Sequence, residues 1–203
     1  MTTKQNIYSI KITDTVSHTY HMFRNYTLAF VYDGRVHLRN QCGETLSIGS
    51  GDCAFIGKNS YSHIYAEPDG NIPCRVLFLS IPREFLCEYY QTLPVSDREL
   101  TATAFPALHR LELNQEVKSL FMSWMPYIQN KQELSEELLR LKLVETIQTM
   151  LNITNRYASV LFDFAGKCQM NVFDLLRKPE EEDMEWKDLE IEPYNKARLT
   201  RLL

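Results

Sequence analysis

The feature that most constrains this chain is a change of hydrophobic period at Ser80. Before it come short strand-like runs punctuated by turns, some alternating apolar and polar residues; after it apolar residues recur every three or four. A period of two belongs to strands, whose successive side chains point to opposite faces, and a period near 3.6 belongs to helices. A chain patterned this way is expected to be an α+β protein with its strands first and its helices last. Strands are expected at 7–12, 18–23, 27–32, 35–39, 44–48, 53–56, 61–66 and 74–79. Six of the seven glycines fall in this region, where they mark turns. Asp33-Gly34 lies between two alternating runs and predicts a hairpin. Leu28, Phe30 and Tyr32 share one strand face, while Val36 and Leu38 oppose Arg35, His37 and Arg39 on the next. Such half-buried strands suit an antiparallel β-barrel with one wet face.

Beyond Ser80, Pro82 suits a first helical turn, and Phe85, Leu86, Tyr89 and Tyr90 follow it as a stripe. A polar connection with Pro94 and Pro106 comes next. Val117, Leu120, Phe121, Trp124, Met125 and Ile128 then predict one amphipathic helix. A longer helix is expected over 133–155. Its stripe of Leu139, Leu143, Ile147, Met150 and Leu151 is widened by Leu134, Leu138, Leu141 and Val144. That is more apolar surface than docking on a barrel requires. Either it forms a two-fold interface with a second copy, through Leu134, Leu138, Leu141, Val144, Ile147 and Leu151, or the helix is central in its own domain. The interface reading is adopted. Residues 160–164 read as a short strand or a helix end, and 171–177 as a helical turn or two.

The net charge of −4 hides an uneven distribution. Between Pro179 and Pro193, eight acids face Lys187 alone, giving −7 and leaving +3 elsewhere. Neither part is the strongly basic field of a nucleic-acid surface. The acidic stretch is expected to be a solvated linker. The first residues are polar, and no run approaches the roughly 20 apolar residues of a membrane span. Cys42, Cys53, Cys74, Cys87 and Cys168 are odd in number, irregularly spaced and without a C-x-x-C pair. Free thiols in a reducing cytoplasm fit that pattern.

Catalytic chemistry finds little support. His18 and His21 are three apart on an expected strand and so point to opposite faces. His37 keeps the company of Arg35 and Arg39, a solvent-facing set, and His109 lies apart. His63 with one of the first pair falls short of the three protein ligands of a catalytic metal site. No G-x-S-x-G elbow and no phosphate-cradling glycine loop is present. No catalytic residue, metal or cofactor is therefore expected. A small-molecule pocket is a softer expectation, lined by Tyr20, His21, Phe30, Tyr32, Phe55, Tyr61, His63 and Tyr65. The alternative is that these side chains simply fill the barrel.

Gly51-Asp52-Cys53-Ala54-Phe55-Ile56, followed by Tyr61-Ser62-His63, resembles a turn and strand of cupin-like barrels. Tyr20-His21-Met22-Phe23-Arg24-Asn25, residues 28–34 and residues 75–86 resemble the N-terminal regulatory domain of AraC-type transcription regulators, in particular those common in Bacteroidetes. The resemblance covers residues 1–164 and implies a barrel followed by two dimerising helices, which is where 117–128 and 133–155 fall. The cupin metal pattern, H-x-H with a later glutamate, is not met; the strand that should carry it offers only His37. This implies a metal-free sensor. Members of the family continue into a DNA-binding unit of two helix-turn-helix motifs, for which the residues after Phe164 are too few and too acidic. The expected organisation is a cupin-like sensing barrel with a connecting helix (1–110), a helical dimerisation hairpin (111–165), and an acidic linker with a truncated segment (166–203). The expected function is the effector-sensing half of such a regulator: a cytoplasmic homodimer, responsive to a small molecule or a protein, touching DNA only through a unit outside this chain. Two alternatives stand beside it. One is a metal-dependent cupin-type enzyme using His18 or His21 with His63; the other is a regulator without a DNA reader, acting through mixed dimers.

Overall fold

The computed structural model describes residues 7–12, 17–94, 105–129 and 134–164. The chain divides into two compact units, Met1–Ala165 and Gly166–Leu203. The second unit, with the expected turns at 171–177 and the acidic linker, lies outside the described residues.

All eight expected strands form: β1 (Ile7–Ile12), β2 (Ser17–Phe23), β3 (Tyr26–Asp33), β4 (Arg35–Asn40), β5 (Thr45–Gly49), β6 (Cys53–Ile56), β7 (Ser60–Glu67) and β8 (Cys74–Ile81). A ninth, β9 (Leu108–Arg110), is too short to display an alternation. Among the described residues they pair antiparallel as two sheets, β1-β8-β3-β6-β9 and β2-β7-β4-β5, rather than as one closed barrel. Asp33-Gly34 is not a hairpin turn. β3 pairs with β6 and β8, whereas β4 pairs with β5 and β7, so this corner carries the chain from one sheet to the other. Gly34 has φ +79°, and a Cβ there would lie 2.5 Å from the Glu67 carbonyl oxygen and 2.8 Å from the Cys74 Cβ. Only glycine fits a corner clasped that closely. The local hairpin is instead β4–β5, where the Asn40 side-chain oxygen accepts from the Cys42 and Glu44 amides at 3.0 and 2.9 Å.

Two cores result. Ala29, Val31, Ala54, Ile56, Val76 and Phe78 of the five-stranded sheet meet Phe23, Val36, Leu38, Ile48 and Ile64 of the four-stranded sheet. The opposite face of the five-stranded sheet, with Leu28, Phe30, Cys53, Phe55, Leu77 and Leu79, packs against the helices in a second core. β3, β6 and β8 are therefore buried on both sides, whereas β4 and β7 of the four-stranded sheet alternate between buried and more exposed residues. This narrows the expectation of half-buried strands throughout. Because sheet and helices share the second core, packing is continuous across residue 110, and the compact unit runs to Ala165.

The helices are α1 (Arg83–Thr92), α2 (Gln115–Met122), α3 (Met125–Gln129), α4 (Glu136–Ile153) and α5 (Arg156–Leu161). The single helix expected over 117–128 is broken at Ser123-Trp124. Pro126 has no N–H to return to the Met122 carbonyl, and its ring would crowd that turn. Asn114 caps α2 by accepting from the Val117 amide at 2.8 Å, and Ser135 caps α4 by accepting from Leu138 at 3.2 Å. α2 and α4 lie antiparallel: Asn152 reaches Glu116 at 3.3 Å, and Lys142 reaches Ser123 at 2.7 Å. Residues 160–164 close α5 and turn, so the strand alternative there falls. No helix among the described residues is long and apolar enough to cross a membrane.

Candidate functional site

The eight residues expected to line one pocket separate into three places. Tyr20, Tyr61, His63 and Tyr65 stand on the outer face of the four-stranded sheet, away from both cores. His21 is half-buried on the inner side of β2, its ring 4.7 Å from that of Phe23, and burial lowers its pKa. Phe30, Tyr32 and Phe55 face the helices from the five-stranded sheet. Alternation along a strand tells which residues share a side, but not which layer that side meets. The residues also do not gather as metal ligands. His21 pairs in register with Ser62, whose side is inward, and His63 stands on the outward side of the same strand pair. Among the described residues no three His, Cys, Asp or Glu side chains come together.

The joint between the five-stranded sheet and the helices is built mainly of rings. Phe30 stacks on Phe121 of α2 at 4.6 Å with 9° between planes, and Tyr32 meets Phe30 edge-on at 4.9 Å. The Tyr32 hydroxyl donates to the Phe121 carbonyl at 2.7 Å, tying the end of β3 to the end of α2. That carbonyl, in the last turn of α2, also accepts from the Trp124 amide at 3.1 Å. Burial pushes the Tyr32 phenol well above its ordinary range. Nearby, the Trp124 indole N–H is buried with no hydrogen-bond partner among the described residues.

A second polar joint was not visible in the sequence. His109 of β9 sits with its Nδ1 2.9 Å from the Pro106 carbonyl and its Nε2 2.8 Å from the Tyr157 hydroxyl of α5. With Nδ1–H donating to the carbonyl, Nε2 accepts from the tyrosine, which describes a neutral imidazole. Burial lowers the His109 pKa and raises that of Tyr157, as this arrangement requires. Phe55 and Phe105 pack on the His109 ring at 5.1 and 4.5 Å. The partners are 48 residues apart, and no spacing rule connects them.

The expected dimer-forming residues also divide. Ile147 is fully buried in the core shared with the sheet, so it does not face a partner subunit; Leu134, Val144 and Leu151 pack partly against the same core. The apolar width of α4 is covered on that side by its own chain. Leu138 is half-buried, while Leu141 is 66 % exposed; Met122 of α2 is 56 % exposed.

Residues 26–162 match the family model described as the ExsA N-terminal regulatory domain. The chain belongs to that family. As an ExsA-type regulatory domain it is the N-terminal part of an AraC-type regulator, although nothing in the match singles out Bacteroidetes members. Its fold is similar to that of apo ToxT K231A from Vibrio cholerae strain SCE256, with a TM-score of 0.53 at 14 % identity over 97 % of this chain and 73 % of that one. A second ToxT structure, bound to an unsaturated fatty acid, aligns with a TM-score of 0.46 at 18 % identity over 71 % of this chain. The ExsA-type domain spans 53 % of that ToxT chain. Among curated proteins none matches.

Proposed function

We propose that this ExsA-type domain is the effector-sensing and dimerising part of its regulator, without catalytic activity of its own. The observation that carries the reading is the double burial of β3, β6 and β8. On β3, Ala29 and Val31 face the space between the sheets while Leu28 and Phe30 face the helices. A small molecule or protein segment that moved this strand on one side would move it on the other. Phe30 and Tyr32 hand that displacement directly to Phe121 of α2. α2 is in turn bound to α4 through Ser123 and Lys142. The output is a two-fold contact between copies, centred on Leu141 and Met122, the large apolar side chains exposed on this helix pair among the described residues, with half-buried Leu138.

Light scattering across a concentration series tests it. The wild-type chain is expected to shift from monomer to dimer, and Leu141→Glu to remain monomeric. Its thermal stability should stay within about 0.5 kcal/mol of wild type, because an exposed side chain adds little to folding. A wild-type chain that stays monomeric throughout, or a Leu141→Glu variant that dimerises equally well, refutes the assembly.

A further inference from the structure

The outer face of the four-stranded sheet belongs to neither core and takes no part in the regulatory reading above. Register places Tyr20 of β2 opposite His63 of β7, and His63 opposite Arg39 of β4; one step along, Met22 stands opposite Tyr61. Tyr20, Met22 and Tyr61 are 65, 44 and 45 % exposed. The Tyr20 ring is nearly parallel to that of Tyr61 at 5.8 Å and meets the His63 ring at 4.7 Å. Rings held against each other this way have little rotamer freedom left to lose on binding.

The charges on this face are one-sided. Arg35 and Arg39 are exposed, and Arg39 is in no ion pair among the described residues. The opposing carboxylate, Glu67, is already engaged by His37 at 3.3 Å. β2 ends its sheet, hydrogen-bonded to β7 alone among the described residues. Thr19 is exposed even though its register partner Ile64 is buried, so the sandwich is open along that edge. That edge leaves room for a segment to cross β2 onto β7.

We infer that this face docks an acidic, extended segment of a partner protein. The segment lies across the face over β2 and β7, lays an apolar side chain against Tyr20 and Tyr61, and gives a carboxylate to Arg39 on the next strand, β4. Tyrosine, methionine and arginine are the residue types enriched at protein interfaces. Arginine matches a carboxylate with two parallel hydrogen bonds. A single-stranded nucleic acid would want a longer track of cations than two arginines supply.

Fluorescence anisotropy on the full chain decides the matter with three labelled probes. The first is a peptide of glutamates alternating with valines around one phenylalanine. The second carries lysines in place of the glutamates, and the third is an oligothymidylate. The acidic peptide is expected to bind, and to bind more weakly as salt rises. Arg39→Glu is expected to lower its affinity about tenfold or more, as is Tyr20→Ala combined with Tyr61→Ala. All three positions are solvent-facing, so thermal midpoints serve as the check that each variant is folded. Failure of the acidic peptide to bind, equal binding of the lysine peptide or the oligothymidylate, or indifference to Arg39→Glu in a folded variant would overturn the inference. None of these results bears on dimerisation through Leu141.

Discussion

Gly34→Ala measures how firmly the two sheets are clasped at the corner between β3 and β4. Two penalties add. An L-residue in the left-handed region, here φ +79°, costs about 1–2 kcal/mol. The new methyl would also sit 2.5 Å from the Glu67 carbonyl oxygen and 2.8 and 2.9 Å from Cβ and Cα of Cys74. Cys74 is wholly buried, so relief requires backbone movement of β7 or β8, an overpacking cost of about 1–3 kcal/mol. Gly43→Ala is the matched control. Its φ is +83°, but a Cβ there has nothing within 4 Å, so only the backbone penalty applies. At about 2–4 °C per kcal/mol for a chain of this size, Gly34→Ala should melt roughly 2–12 °C below Gly43→Ala. Thermal unfolding followed by circular dichroism, with calorimetry to verify two-state behaviour, gives the difference. Equal midpoints for the two variants would refute the account of a sterically closed corner.

Other consequences are as open to measurement. Tyr32→Phe should destabilise the domain by about 0.5–1.5 kcal/mol in urea titrations, since it removes one of the two donors to the Phe121 carbonyl and leaves the Trp124 amide; an unchanged midpoint would show that this bond ties nothing together. Burial holds the His109 pKa below its ordinary 6.5, so on acidification the unfolded chain takes up the proton first. The stability tied to this group is therefore whole above pH 6.5 and is lost as pH falls below it. His109→Gln should flatten the fall in urea midpoint on the acid side; His21, lowered in the same direction, accounts for a remaining slope. A slope identical to wild type would count against the neutral His109–Tyr157 pair. In a Cys168→Ala background, a thiol reagent should modify exposed Cys42 quickly and reach buried Cys53 and Cys74 only when denaturant is added. Burial pushes both of those thiols up, away from the reactive thiolate. Rapid native-state labelling of Cys53 would contradict the tightness of the core beneath the helices.

Much of the architecture could be read from period and turns. All eight short runs bounded by turn residues became strands, and the stripes after Pro82 and around Leu139–Leu143 became α1 and α4. What could not be read was the third dimension of that pattern. Asp33-Gly34 has the composition of a hairpin, yet consecutive strands here mostly alternate between sheets, and no local signal distinguishes a turn that returns from one that crosses. Phe30 and Phe55 lie in β3 and β6, where both faces are apolar, so neither announces that one side meets helices. His109 and Tyr157 meet only because the short β9 adds to the edge of β6. The break before α3 was legible, since Pro126 stands inside the expected helix. For α4, width of apolar surface was a fair measure of burial and a poor guide to its direction: Ile147 turned inward, Leu141 outward.

A strand with a place in two interiors separates two kinds of change during divergence. On the sensing reading proposed above, exchanges at Ala29 and Val31 would admit a larger or differently shaped guest between the sheets, while Leu28 and Phe30 continue to present the same surface to the helices. What such a sensor responds to would drift through one set of positions, and how it reports the response would be preserved in the alternate set. The alternation of a single strand is enough to let the two evolve apart.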